Sequence, residues 1–416
     1  MKKTGKFLFN AILTLFLFSS CAFFSNTGDT SSEMYDSYKL SDETLAAAGL
    51  PVVKIQTENN AKILSKENWY NATISISNSE QDSYNFDSVD VSIRGRGNTT
   101  WPLRKRPFAL KFSKKQEVLG MPKHKRWVLL ANFTDNSFMK NVVAFYLSEK
   151  LGMDYTVRGR YVNLVLNGNY VGLYWLGEAI KVDKSRVNID EDNDYLIESD
   201  IYYDEAWKFK SAIKNLPFMV QNDDSMNQTR LNNLESRINE MEQVLYAPDF
   251  PYVSGTSNID DTYRNYIDLD SFAKFYLVNE IMCNFELSHP KSCYFTLDSG
   301  TGVLKAGPVW DFDWGGTNPS NKLFLKYTIY YDSLFKIPAF REKVNTLISQ
   351  LSSSDISREI NSIKAEISES AKLDGQRWGT VFRNPVGEVR NSFDDYVGYL
   401  DKCVTDRVKY LKRNSF

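Results

Sequence analysis

Histidine is the scarcest reactive residue in this chain: its 416 residues include only two, His124 and His289. A zinc site built on several histidines is therefore excluded, and neither histidine sits in the local context of a Ser-His-Asp triad. Charge of one sign is missing as well. Fifty Lys plus Arg stand against 52 Asp plus Glu, a formal net charge of -2, so no global field draws the chain to nucleic acid. Any phosphate chemistry must be local. Long apolar runs are missing except near the start, where "FLFNAILTLFLF" is too short to span a bilayer comfortably.

That short run follows the basic "MKKTGK", and "SSC" places small residues just before Cys21. Together they predict a bacterial secretory signal over residues 1–20 that ends in a lipobox, with Cys21 lipidated. Phe18, three positions before the cysteine, replaces the usual aliphatic residue, and a plain signal peptide or anchor is the alternative. The polar tract "SNTGDTSSEMYDSYKLSDE" has little to bury and reads as a tether over residues 21–48. The working part is then expected in the cell envelope, periplasmic or surface-exposed, and held to the membrane through the lipid alone. Of the four cysteines, Cys283, Cys293 and Cys403 would remain free to pair. That number permits one disulfide at most. A Cys283–Cys293 bridge is geometrically open, against two buried free thiols.

What is present is a globular composition, 42% hydrophobic and 25% charged. Between Leu50 and Phe112 the runs "PVVKIQT", "NATISIS", "DSVDVSIRGRG" and "PFALKFSKK" alternate apolar and polar residues, which predicts an antiparallel sheet. "SFMKNVVAFYLSEKLG" has helical spacing, with Asn136 or Ser137 available as its cap. "RYVNLVLNGNYVGLYWLGEAI" is a hairpin turned at "NGN". Two helices follow, "NQTRLNNLESRINEMEQVLY" and "IDLDSFAKFYLVNEIMCN", the second with Asp270 as its expected N-cap. After a return to strands, the chain from about Pro338 is helical and charged. Sheet first and helices later give an α+β class.

Four stretches look built for more than packing. In "SIRGRGNTTW", Arg94 and Arg96 alternate with glycines that let the backbone approach an anion, although a solvated hairpin explains the pattern equally well. In "RPFALKFSKK", Lys111 is a strand lysine placed after the glycine loop. In "NEIMCNFELSHPKS", Asn284 and Glu286 leave an apolar helix for a loop, with Glu280 as the competing acid. In "PVWDFDWGG", Asp311 and Asp313 sit inside an apolar run, where a charge is costly without a cation or partner. Their alternation would point them to opposite faces unless the chain turns, and a calcium or turn-capping motif is the plainer alternative. In order, these are the parts phosphoryl transfer needs: cations for a triphosphate, and acids for a metal and an acceptor hydroxyl.

The stretches "IRGRGNTTWPLRKRPFALKF", "LGMPKHKRWVLLANFTDNSFMKN", "NGNYVGLYWLGEAIKVDKSRVNI", "YLIESD", "IDLDSFAKFYLVNEI" and "GPVWDFDWG" resemble, in the same order, the spore coat protein CotH family of atypical secreted protein kinases. The resemblance implies a two-lobed, protein-kinase-like fold, with an N-terminal antiparallel sheet and a helical C-terminal part. Residues 49–320 would form the kinase-like domain and residues 321–416 a helical extension of it. It further implies ATP and magnesium, with manganese as the alternative metal, and an unidentified secreted or surface protein phosphorylated on Ser or Thr. The family's metal-binding aspartate falls on Asp311, with Asp313 beside it. Its loop acid falls on Glu286, where the family usually has aspartate. Arg94, Arg96, Lys111 and Glu178 are the expected nucleotide-binding residues, with an ordinary solvent-facing lysine the alternative for Lys111, and Tyr174 and Trp175 are the candidate walls for an adenine, with buried core aromatics the equal alternative. A kinase-like binding protein without catalysis is the alternative function, and a metal-dependent hydrolase a third.

Overall fold

The computed structural model describes residues 33–222, 224–316, 321–379, 390, 392–414 and 416, so the signal segment and Cys21 lie outside the described residues. Seven strands come first: β1 (Val52–Thr57), β2 (Tyr70–Ser77), β3 (Phe86–Gly95), β4 (Phe108–Val118), β5 (Met121–Leu130), β6 (Gly159–Leu166) and β7 (Asn169–Glu178). Alternation puts Ile55, Ile74, Ile93, Leu110 and Trp127 in one shared interior. The expected antiparallel sheet does not stay open. It closes in the order β1-β2-β3-β4-β5-β7-β6 because the β6–β7 hairpin fills the gap between β5 and β1, where β6 runs parallel to β1. The hairpin turns at "NGN" as its sequence predicts, with Asn167 at φ 50 and Gly168 at φ 74.

The polar tract read as a tether is folded from Glu33 onward. Met34 is buried in the barrel interior, the Tyr35 hydroxyl donates to the Ile63 carbonyl at 2.8 Å, and helix α1 (Asp42–Ala47) follows. Two apolar anchors at one end of a polar tract outweigh its average composition.

Helix α2 (Lys140–Lys150) lies between β5 and β6 in sequence. Its expected cap differs: no side chain of Ser137 or Asn136 serves as the N-cap, and the buried Asp135 instead accepts from the Ser137 and Lys140 amides at 3.0 and 2.8 Å. A second sheet has the order β12-β11-β8-β10-β9, from β8 (Tyr195–Ser199), β9 (Lys208–Lys210), β10 (Pro217–Val220), β11 (Cys293–Leu297) and β12 (Leu304–Ala306). Between β10 and β11 come α3 (Gln228–Leu245) and α4 (Leu269–Ile281). The cap of α4 is Asp268, whose carboxylate accepts from the Ser271 amide at 2.6 Å; Asp270, the expected cap, lies inside the first turn and pairs with Lys274 and Lys343.

Four helices close the chain: α5 (Tyr331–Leu334), α6 (Pro338–Gln350), α7 (Ser353–Trp378) and α8 (Phe393–Arg413). They are not a detached bundle, since α7 returns to pack along β7. The molecule is thus a mixed α/β fold of a closed seven-stranded barrel, a five-stranded sheet and eight helices among the described residues.

Candidate active site

A cavity of about 220 Å³ opens between the end of the barrel and the second sheet. Its barrel side is the β3–β4 connection, from Arg96 to Pro107, and the end of β5. Gly97 bends this connection at φ 82, and a Cβ there would meet the Thr100 hydroxyl at 2.3 Å. Such a path is open to glycine alone. The opposite side carries six acids: Glu198 and Asp200 at the end of β8, Asp204 in the connection to β9, Glu286 in the connection after α4, and Asp311 and Asp313 after β12.

The "WDFD" stretch is not a strand. Asp311 adopts φ 63, left-handed backbone that a non-glycine residue seldom occupies, and the chain turns so that both Asp311 and Asp313 line the cavity. The expected separation of the two acids onto opposite faces is therefore undone by the turn at Asp311, ahead of the glycines. Asn141, in the first turn of α2, clamps this turn: its Oδ1 accepts from the Phe312 amide at 2.8 Å and its Nδ2 donates to Asp313 Oδ1 at 2.7 Å. The Lys140 ammonium donates to the Asp313 carbonyl at 2.8 Å. Asn284 adds a bond from Nδ2 to the Asp311 carbonyl at 3.3 Å, and its Oδ1 accepts from the Glu286 amide at 3.3 Å.

Crowding these acids in a partly dry cavity disfavours their charged forms. Burial, then the neighbouring Asp311, pushes the Glu286 carboxyl up to about 9. The same two causes push Asp313 to about 7. Burial and Asp200 push Glu198 to about 8, and burial raises Asp311 against the pull of Arg96 and Lys291. Arg96 is the cation facing them, its guanidinium 5.4 Å from the Trp310 ring centre, and Lys291 lines the rim. Glu286 Oε2 is buried and has no hydrogen-bond partner.

Of the residues singled out in sequence, Arg96, Glu286, Asp311 and Asp313 are brought together. Arg94, Lys111 and Glu178 are not. Arg94 packs its guanidinium over Trp69 at 4.8 Å on the barrel exterior, and Lys111 is exposed on β4 opposite Ser92 and Arg126. Glu178 is sealed in the interior, accepting from Arg158 Nη2 at 2.7 Å and Tyr155 at 2.9 Å; a buried carboxylate with its own guanidinium is a structural pair. Tyr174 and Trp175 are not cavity walls either. Successive strand residues face opposite ways, so Tyr174 enters the barrel interior and Trp175 packs on Phe145 of α2 at 5.3 Å.

Glu280, the competing acid, also lies elsewhere: fully buried, it pairs with Arg407 of α8 and accepts from the Phe324 and Leu325 amides at 3.0 and 2.8 Å. Cys283, Cys293 and Cys403 are buried and in no disulfide. The open Cys283–Cys293 bridge is not made, because Cys283 Sγ turns to the Glu280 carbonyl at 3.7 Å and Cys293 Sγ to the Lys291 carbonyl at 3.3 Å.

Sequence reasoning missed Glu198, Asp200, Lys291 and Asn141. The first two were findable. "YLIESD" sets two acids at the end of an apolar strand, the same anomaly that marks "PVWDFDWGG". Asn141 carries no such signal in a helix of mixed composition.

Among the described residues no three His, Cys, Asp or Glu side chains stand close enough to hold a metal ion as they are. The donor set nevertheless suits a hard divalent cation: all carboxylate oxygen, mutually repelling, with one buried oxygen unpartnered. No curated protein matches the chain. One family, described as CotH kinase protein, matches residues 93–411, a span that contains every cavity residue discussed above. A kinase family implies ATP and a divalent metal in general. The chain belongs to the CotH kinase protein family.

Proposed function

We propose that this protein transfers the γ-phosphoryl group of ATP, with magnesium or manganese, to Ser or Thr of secreted or surface proteins. The observation that carries this reading is the cavity's polarity: a buried, unpartnered Glu286 oxygen and two clamped aspartates face Arg96 and a glycine-bent loop across a space of about 220 Å³. Asp311, with Asp313 or Glu286, would hold the cation, which when bound would neutralise charge on the transferring phosphoryl group. Arg96 and the backbone around Gly97 would bind phosphate oxygens. Glu286 would orient the acceptor hydroxyl and take its proton once a bound cation had lowered its carboxyl from the value of about 9 that burial and Asp311 give it.

In this reading the barrel is the nucleotide-side lobe and the second sheet with its helices the acceptor-side lobe. The family match runs without a break across residues 320 and 321, which supports treating the C-terminal helices as part of the same domain. Lipidation at Cys21 would place the site outside the cytoplasm. The test is incubation of the mature chain with labelled ATP and either metal, beside Asp311→Asn, which keeps the shape and removes the charge. Label transferred by the wild type and lost in the variant is the expected result; equal transfer by both would overturn the assignment.

Two observations favour a second reading, a kinase-like binding protein. Among the described residues no three acids are preassembled for metal, and the loop acid is glutamate where the resembled family usually has aspartate. ATP binding without transfer to any acceptor, or to the chain itself, would select it.

A further inference from the structure

Within the basic run Arg104-Lys105-Arg106, Lys105 lines the cavity and anchors its wall. Lys105 is fully buried. Its ammonium donates to Asp374 Oδ2 at 2.5 Å and to the Leu173 carbonyl at 2.6 Å. Asp374, in the last turns of α7, accepts in turn from the Leu173 amide at 2.8 Å. The fit leaves no slack. A Cβ on Gly172, at φ 120, would meet Asp374 Oδ2 at 2.3 Å and Lys105 Cε at 2.8 Å.

The flanking arginines are fixed by the same region. Arg104 pairs with Glu33 and lies over the Trp378 ring, while the Arg106 carbonyl accepts from the Tyr174 hydroxyl at 2.8 Å. Trp378 Nε1 donates to the Val171 carbonyl at 3.1 Å, which seats the end of α7 on β7. Ahead of this anchor the loop is held by a few contacts. Asn98 and Thr99 are exposed, Arg96 N–H donates to the Pro107 carbonyl and Leu103 N–H to the Thr100 carbonyl, both at 3.2 Å, Asn98 Oδ1 accepts from Lys66 Nζ at 2.8 Å, and the Trp101 ring lies under the Arg106 guanidinium at 4.6 Å. Arg96, Gly97, Thr100 and Lys105 all line the cavity.

We infer that the buried Lys105–Asp374 pair is the positioning device of the nucleotide pocket: through it, the end of α7 holds residues 97–107 and Arg96 where the phosphates of ATP must lie. This rests on the proposed kinase reading for its ligand, though not for the coupling itself. An ion pair in so dry a site gains little net stability over well-packed apolar residues. Its geometry instead ties a loop on the barrel to a helix 269 positions away in sequence. Lys105 and Asp374 touch no reacting atom in this account and act through Arg96 and the loop backbone.

The test is K105M/D374N in the full chain. It removes both charges together and leaves an acceptor for the Leu173 amide, so no uncompensated charge is buried. Two readouts are taken: hydrogen exchange at the Arg96 and Leu103 amides without ligand, and the KM and kcat for magnesium ATP. We expect cooperative unfolding to persist, faster exchange at both amides, and KM raised by about ten- to a hundredfold with kcat changed far less, as loss of positioning predicts. Should the double variant not fold, Trp378→Phe, which removes the bond to Val171 and trims the ring beneath Arg104, must show the same two effects more weakly. Unchanged exchange and unchanged KM in a folded variant would overturn the inference. A wild type that does not bind ATP would remove the kinase reading, and amide exchange alone would then decide the coupling.

Discussion

Glu286 is longer by one methylene than the aspartate expected at its place, a difference of about 1 to 1.5 Å in carboxylate position. The structure shows what the extra reach does: from a short turn capped by Asn284, the side chain enters the cavity and leaves Oε2 buried without a partner. If this carboxylate orients the acceptor, Glu286→Gln should abolish most transfer, and Glu286→Asp should lower kcat by about a hundredfold through misplacement. Single-turnover transfer with labelled ATP checks both, and equal rates for all three proteins would make Glu286 a bystander. Asn141 is the second residue whose role is local. Asn141→Ala removes its two bonds to the Asp311–Asp313 turn, leaving those from Lys140 and Asn284, and we expect at least a tenfold weaker affinity for manganese, read by paramagnetic resonance without nucleotide. Arg96, Glu286, Asp311 and Asp313 were legible because each is an anomaly in its own stretch of sequence. That Lys111 and Glu178 lie away from the cavity was not legible, because a lysine or glutamate in a strand looks alike whether it faces water, a phosphate or an interior arginine.

Helix α4 shows where sequence reasoning reaches at the scale of elements. Its apolar character and an aspartate cap were visible, but the cap is two residues earlier than expected, because an N-cap is decided by which backbone turns first. Its one interior acid was undecidable in sequence and is a staple in the structure. Glu280 joins α4 to α8 through Arg407 and holds the Phe324 and Leu325 amides. Replacing it with Gln leaves the Arg407 guanidinium buried without its counter-charge, a change that typically costs about 3 to 5 kcal/mol. Urea unfolding of Glu280→Gln should show that loss, while transfer per folded molecule stays near wild type, since Glu280 does not line the cavity. The strands were legible by alternation and the β6–β7 hairpin by its turn. Barrel closure was not, because it depends on β6 pairing with β1 across more than a hundred residues, and neither strand carries a local mark of its partner.

For the molecule as a whole, the acid cavity predicts how stability depends on pH and cation. Unfolded carboxyls titrate near 4, whereas in the fold Asp313, Glu198 and Glu286 are held at about 7, 8 and 9. Between roughly pH 5 and 9 the folded state therefore keeps protons that the unfolded chain has released, and stability falls as pH rises through that window. The two histidines act at the other end. His124 is depressed by burial to about 4 and His289 is lowered by burial as well, so below about pH 6.5 the unfolded chain takes up protons there first, which offsets part of the carboxyls' effect. Three raised carboxyls outnumber two lowered histidines, so without metal Tm should fall steadily from about pH 5 to pH 9. A divalent cation bound by the carboxylates competes with their protons, so it should raise Tm little at pH 6 and progressively more toward pH 9. Scanning calorimetry of the mature chain with and without magnesium or manganese checks this. The pH-dependent part of the gain should vanish in Asp311→Asn, whereas a gain equal at pH 6 and 9 in both proteins would place the cation outside the cavity.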